Sequence, residues 1–132
     1  MSIKKKPNRS KLVKNADAIF SQYIRQRNAD ANGMTECFTC GKQDHWKKLQ
    51  CGHFMSRKHY ATRWNENNCQ VQCSGCNVFR YGEQYTFGRN LDTYIKEGLA
   101  EELNILSNKI VKYDNNDLID LMNFYKEKLA EL

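Results

Sequence analysis

Long apolar runs are missing from this 132-residue sequence, and no stretch approaches the length that would span a bilayer. The basic N-terminus leads into no signal-peptide apolar segment, so the expectation is a cytoplasmic protein with no membrane partner. Repeats and low-complexity tracts are also absent, and the lone proline is Pro7. Acid is missing where base is dense. Residues 1–14 hold Lys4, Lys5, Lys6, Arg9, Lys11 and Lys14 without one Asp or Glu, which predicts a basic flexible arm that grips phosphates or solubilises the chain.

What is present fits one modest domain whose small core a metal would staple. Apolar residues make up 40% of the chain, enough for most of it to be ordered. The net charge of +6 is unevenly spread: residues 1–90 carry 16 Lys and Arg against 6 acids, and residues 91–132 carry 5 against 9. The basic part therefore suits a polyanionic partner, and the acidic part suits scaffold or protein contact.

A helix is predicted over about 16–28, with Phe20, Tyr23 and Ile24 as its apolar stripe and Arg25 and Arg27 on its wetter side. Short strands are expected over 47–56 and 69–72, and 57–68 shows no period and reads as a surface loop. Further helices are expected up to Gly98, over about 99–111, and from an Asp114 cap to the end, with Asp117 at the third helical position. The domain plan is thus an arm at 1–14, a helix plus zinc-bound core at 15–90, and a helical region at 91–132 that packs on the core or forms a dimer contact.

Six cysteines include Cys37-x-x-Cys40 and Cys73-x-x-Cys76, two knuckles separated by 32 residues. Each knuckle presents two thiolates from one tight turn, and two complete a tetrahedron around a structural zinc. Such a closed site has no open position for chemistry. Cys51 and Cys69 are left over, as replacement ligands or, more simply, as small core residues flanking the enclosed hairpin.

Between the knuckles, CGHF at 51–54, Asn68, and QCSGCN at 72–77 resemble the His-Asn-His/Asn motif of ββα-metal nucleases. Together with FSQYIRQRNA, CFTCG, CGHFMSR, RWNENNCQVQCSGCN and YKEKL, the chain from about residue 12 is similar to the NinG (Rap) recombination proteins of lambdoid phages. The resemblance implies an α+β fold: a small zinc-stabilised ββα-metal core flanked by an N-terminal helix and a C-terminal helical region. It also implies a phage protein working in a bacterial host, an endonuclease acting on branched recombination intermediates such as a Holliday junction or D-loop.

By the same resemblance His53 is the general base, Asn68 orients it and shapes the loop, and Asn77 helps hold a catalytic Mg2+ or Mn2+. Products would carry 5′-phosphate and 3′-hydroxyl ends. Many nucleases of the superfamily place an acid before the histidine, where this sequence has Gly52. Glu66 is the first choice for the missing ligand, followed by His59, His53 itself and Asp44. Lys47, Lys48, Arg57, Lys58, Arg63, Arg80 and Arg89 would neutralise flanking phosphates, Arg57 nearest the site. Tyr60 and Trp64 are read as base-stacking wedges or as loop anchors.

Junction resolution takes two nicks, so a homodimer is expected, and phage or host recombination proteins are natural partners. Two rival readings remain at this stage: a non-catalytic zinc module that binds nucleic acid, and a site-specific nicking enzyme of the same superfamily.

Overall fold

Leu12, Ala16, Phe20 and Ile24 recur every four residues, a spacing that lines one face of a helix, and all four are buried. They belong to α1 (Arg9–Gln26), which starts at an Asn8 cap whose side chain accepts from the amide of Lys11. The computed structural model describes residues 8–132. Lys4, Lys5 and Lys6 of the expected arm lie outside these residues, but Arg9, Lys11 and Lys14 are helical. The helix begins earlier than expected because Leu12 extends the apolar stripe by one turn, while Lys11 and Lys14 point into water.

Two small antiparallel pairs follow. β1 (Met34–Glu36) pairs with β2 (Gln43–His45), and the first knuckle forms the tip between them. Gly41 sits there at φ +79°, a backbone state that a residue with a Cβ seldom adopts. β3 (Gln50–His53) pairs with β4 (Cys69–Gln72), His53 opposite Cys69 and Gly52 opposite Gln70. The expected strand over 47–56 is thus shortened to four residues, preceded by a tight turn at Trp46–Lys48. The loop joining β3 to β4 contains one helical turn, α2 (Tyr60–Arg63).

The second knuckle opens a wide helical turn at Gly75–Phe79, and α3 (Gln84–Asn90) follows. α4 (Leu99–Ser107) and α5 (Asn115–Ala130) complete the order. Asp114 caps α5 in a reciprocal box with Asp117, as its sequence predicts.

The core has three parts. α1 packs on α5, burying Phe20, Ile24, Leu118, Met122 and Tyr125 with Trp64 of the loop. Phe20 meets Tyr125 edge-on at 4.8 Å. A second cluster joins Cys37, Cys73 and Cys76 to Leu49 and Val71. The third gathers Phe87, Leu91, Leu99 and Leu103 against Phe38 and Phe54. The chain is therefore an α+β domain with small antiparallel sheets and flanking helices. The α5 stripe offered as a dimer contact is used within the chain. No helix among the described residues is long and apolar enough to cross a membrane.

Candidate active site and zinc centre

The four knuckle sulfurs converge: those of Cys37, Cys40, Cys73 and Cys76 all lie within 4.8 Å of one another. Cys40 and Cys73 are 3.7 Å apart. A tetrahedron with zinc–sulfur bonds of about 2.3 Å has edges of about 3.8 Å, so the cluster has the size of a four-thiolate zinc site. Burial works against ionisation of Cys37, but the Thr39 hydroxyl and the amides of Cys73, Cys40 and Thr39 overcome it and hold its thiol down at about 6. Cys40 is pushed up to about 12, first by burial and then by its sulfur neighbours. Metal binding must therefore release protons, and affinity should rise with pH. Further donors reach the sulfurs, Cys76 N to Cys73 Sγ at 3.4 Å and Arg80 Nη2 to Cys76 Sγ at 3.0 Å.

His53 ends β3 and lines a cleft with Asp17, Arg25, Gln50, Ser56, Arg57, Asn77 and Tyr81. Its Nε2 lies 3.1 Å from the Arg63 carbonyl. A carbonyl can only accept, so Nε2 carries the hydrogen and the neutral ring keeps Nδ1 as its acceptor. Burial is the largest influence on the ring and lowers its pKa below the ordinary value, although the bond to the Arg63 carbonyl and the Asp17 carboxylate act the other way. The imidazole is therefore neutral at pH 7.

Arg63 is fixed in turn by Asp17 of α1, at 3.0 Å from Nε and 2.6 Å from Nη2. Asp17 also accepts from Trp64 Nε1 at 3.0 Å and lies 3.7 Å from Arg57. Asn68 is fully buried; it accepts from the Met55 amide and donates to the carbonyls of Met55 and Thr62. It thus closes the loop that carries Arg63 to His53. Asn77 donates to Gln50 Oε1 at 2.8 Å on the cleft wall.

Other expected residues are not brought to the cleft. The Glu66 carboxylate is held by Tyr125 Oη and Lys128 Nζ, each at 3.0 Å, with Arg27 at 3.9 Å. It ties the loop to α5 and is not among the residues that line the His53 cleft. His59 caps α2 through its backbone and joins no ligand group, and Asp44 lies on β2 and joins none. Arg63 is committed to Asp17, with a side chain only 14% exposed, and does not stand free in the cleft. Arg57 is exposed at the cleft, while Lys47, Lys48, Lys58 and Arg89 are exposed elsewhere. Arg80 is paired with Glu83 at 2.9 Å. Tyr60 and Trp64 pack on each other and on Tyr113, so they anchor the loop.

The sequence reading missed Asp17 and Arg25, both contributed to the cleft by α1. It also missed that Cys51, His53 and Cys69 form a second group whose ligand atoms lie within 4.8 Å. Two thiols with an imidazole suit a thiophilic ion rather than magnesium.

A family model described as "Bacteriophage Lambda NinG protein" matches residues 2–132. The chain belongs to the NinG family. Neither the curated proteins nor the solved structures gave a match to it. Within this NinG chain the two knuckles and the His53 cleft are built on adjoining elements. β4 leads directly into Cys73, and Asn77 follows Cys76.

Proposed function

We propose that this NinG chain is a divalent-metal-dependent endonuclease that nicks branched DNA recombination intermediates, built on a ββα-metal core. β3, β4 and the helical turn after the second knuckle correspond to that core. The observation that carries the reading is the tautomer of His53: with Nε2–H on the Arg63 carbonyl, Nδ1 is the acceptor of a neutral ring in a basic cleft.

In the proposed reaction His53 takes a proton from water through Nδ1, the hydroxide attacks phosphorus, and the P–O3′ bond breaks, the 3′ oxygen taking a proton from solvent to leave 5′-phosphate and 3′-hydroxyl ends. Arg57 and Arg25 hold the anionic backbone across the cleft, and Asp17 keeps Arg63, and through it His53, in position. The neutral oxygen atoms that a hard cation would meet on the cleft wall are those of Asn77, Gln50 and Ser56, because the Asp17 carboxylate is taken up by Arg63 and Trp64. Asn77 is the residue that would hold Mg2+ or Mn2+, with water and substrate phosphate as further ligands. When bound, that ion neutralises the phosphoryl oxygens and the leaving 3′ oxygen. The four-cysteine zinc is structural. Two nicks across a junction call for two copies of the chain.

The test is nicking of a labelled four-way junction and a matched linear duplex in magnesium or manganese, by wild type and His53→Ala of verified zinc content. Loss of at least a hundredfold in the variant, with folding and zinc retained, is expected. Because the base must be neutral and its pKa is depressed, the wild-type rate should climb with pH through that lowered value and be level by the ordinary imidazole value of about 6.5. Junction binding without cleavage in either metal would make the chain a non-catalytic zinc module.

A further inference from the structure

After the second knuckle three large aromatic side chains stand in water: Phe79 is 77% exposed, Tyr81 89% and Tyr85 82%. They fall within one short segment after the second knuckle, and Tyr81 itself lines the cleft with His53. The segment is firmly held. The Gly82 amide donates to the Cys76 carbonyl at 2.7 Å, and the Gly82 carbonyl accepts from buried Gln72 Nε2 at 2.9 Å. The Arg80 amide donates to the Gly75 carbonyl, also at 2.9 Å. The Arg80 guanidinium bridges Cys76 Sγ and Glu83.

Tyr81 and Glu83 adopt φ of +53° and +50°, the left-handed state that a bulky aromatic rarely takes. Backbone strain of this kind persists where the surroundings impose it, and it concentrates at binding and catalytic sites. Here it turns a tyrosine outward at the mouth of a cleft that holds Arg25 and Arg57, with Arg80 beside it. Tyr60 and Trp64 cannot serve the same purpose, being packed inside the loop.

A ligand matching this surface needs a flat π face and a negatively charged backbone. A nucleobase joined to phosphates has both, but within a duplex each base face is covered by its neighbours. A base splayed at a branch presents a free face, as do bases of a single strand or a frayed end. We propose that Tyr81, flanked by Phe79 and Tyr85, is a stacking platform for an unpaired nucleobase at the branch point, and that it selects branched over linear DNA. The proposal rests on the nuclease reading for the placement of the phosphate in the His53 cleft.

The test measures binding to a four-way junction carrying 2-aminopurine at the branch, and to a linear duplex, with calcium replacing magnesium. Tyr81→Asn suits the left-handed backbone while removing the ring, and Tyr81→Phe restores the ring. For Tyr81→Asn, junction affinity should fall about tenfold and the 2-aminopurine signal of stacking should vanish, with duplex affinity unchanged. Tyr81→Phe should behave as wild type. The triple variant Phe79→Ser, Tyr81→Asn, Tyr85→Ser covers compensation by neighbours.

Unchanged selectivity in the triple variant overturns the platform. So does an equal loss on both DNAs, or a shift from dimer to monomer in sedimentation. Nicking is scored separately. Absent nicking with selectivity lost in Tyr81→Asn removes the nuclease reading and leaves the platform. Nicking abolished by His53→Ala with selectivity intact in the triple variant does the reverse.

Discussion

Gly52 and His53 are neighbours on β3 that face opposite ways, and the contrast explains the missing acid. A Cβ at residue 52 would collide with the side chain of Gln72, whose Oε1 is buried and without a hydrogen-bond partner. An aspartate there would overfill a closed face rather than reach the cleft. Gly52→Asp should destabilise the fold by about 2–3 kcal/mol, read as a lower urea midpoint, and should give no gain in nicking. Glu66→Gln should cost only about 1 kcal/mol, since that carboxylate is a third exposed, and should leave nicking unchanged. Burial raises the Glu66 pKa, but Lys128 and Tyr125 bring it below the ordinary value. Its contribution is therefore present above about pH 4.5 and is lost as pH falls through the lowered folded value. A metal ligand would instead lose nicking at constant stability. The four knuckle cysteines were legible because their spacing is itself the signal, whereas His53 was singled out by the resemblance of CGHF to the nuclease motif. Asp17 and Arg25 were not, since only the passage of α1 over β3 gives them a role. The pairing of Glu66 with Tyr125 and Lys128 was not legible either, since its partners lie about sixty residues further along the chain.

Elements with a sustained apolar period were legible, and those held by their surroundings were not. α5 could be read from Asp114 onward because cap and stripe agree. Asp114→Ala should lower stability by about 1 kcal/mol, seen as a shifted urea midpoint with unchanged slope. β1 and β2 are three residues each, mostly polar, and carry no alternation to read. They exist because the first knuckle closes their tip. α2 is a single turn whose Thr62 carbonyl accepts from Asn68, a tertiary bond that no local pattern announces. α1 was read too short because its first-turn lysines resemble a tail, although Leu12 already belongs to the buried stripe.

At the scale of the molecule, the separation of its cores decides what zinc removal does. The α1–α5 cluster contains none of the four zinc-site cysteines, whereas the second cluster is largely made of them. Chelation should leave most of the far-ultraviolet helical signal while abolishing nicking and amide protection in β4 and residues 75–82. Zinc should restore both. A single cooperative loss of all structure on chelation would contradict this division.

The pairing of α1 with α5 also bears on synthesis. α1 supplies Asp17 and Arg25 to the cleft, yet its apolar face is covered by a helix roughly a hundred residues later in the chain. Such distant contacts form late, after the local hairpins and their metal knuckles. A chain cut before Asn115 would leave Phe20 and Ile24 uncovered, and on the proposed nuclease reading nicking should be lost with that cover.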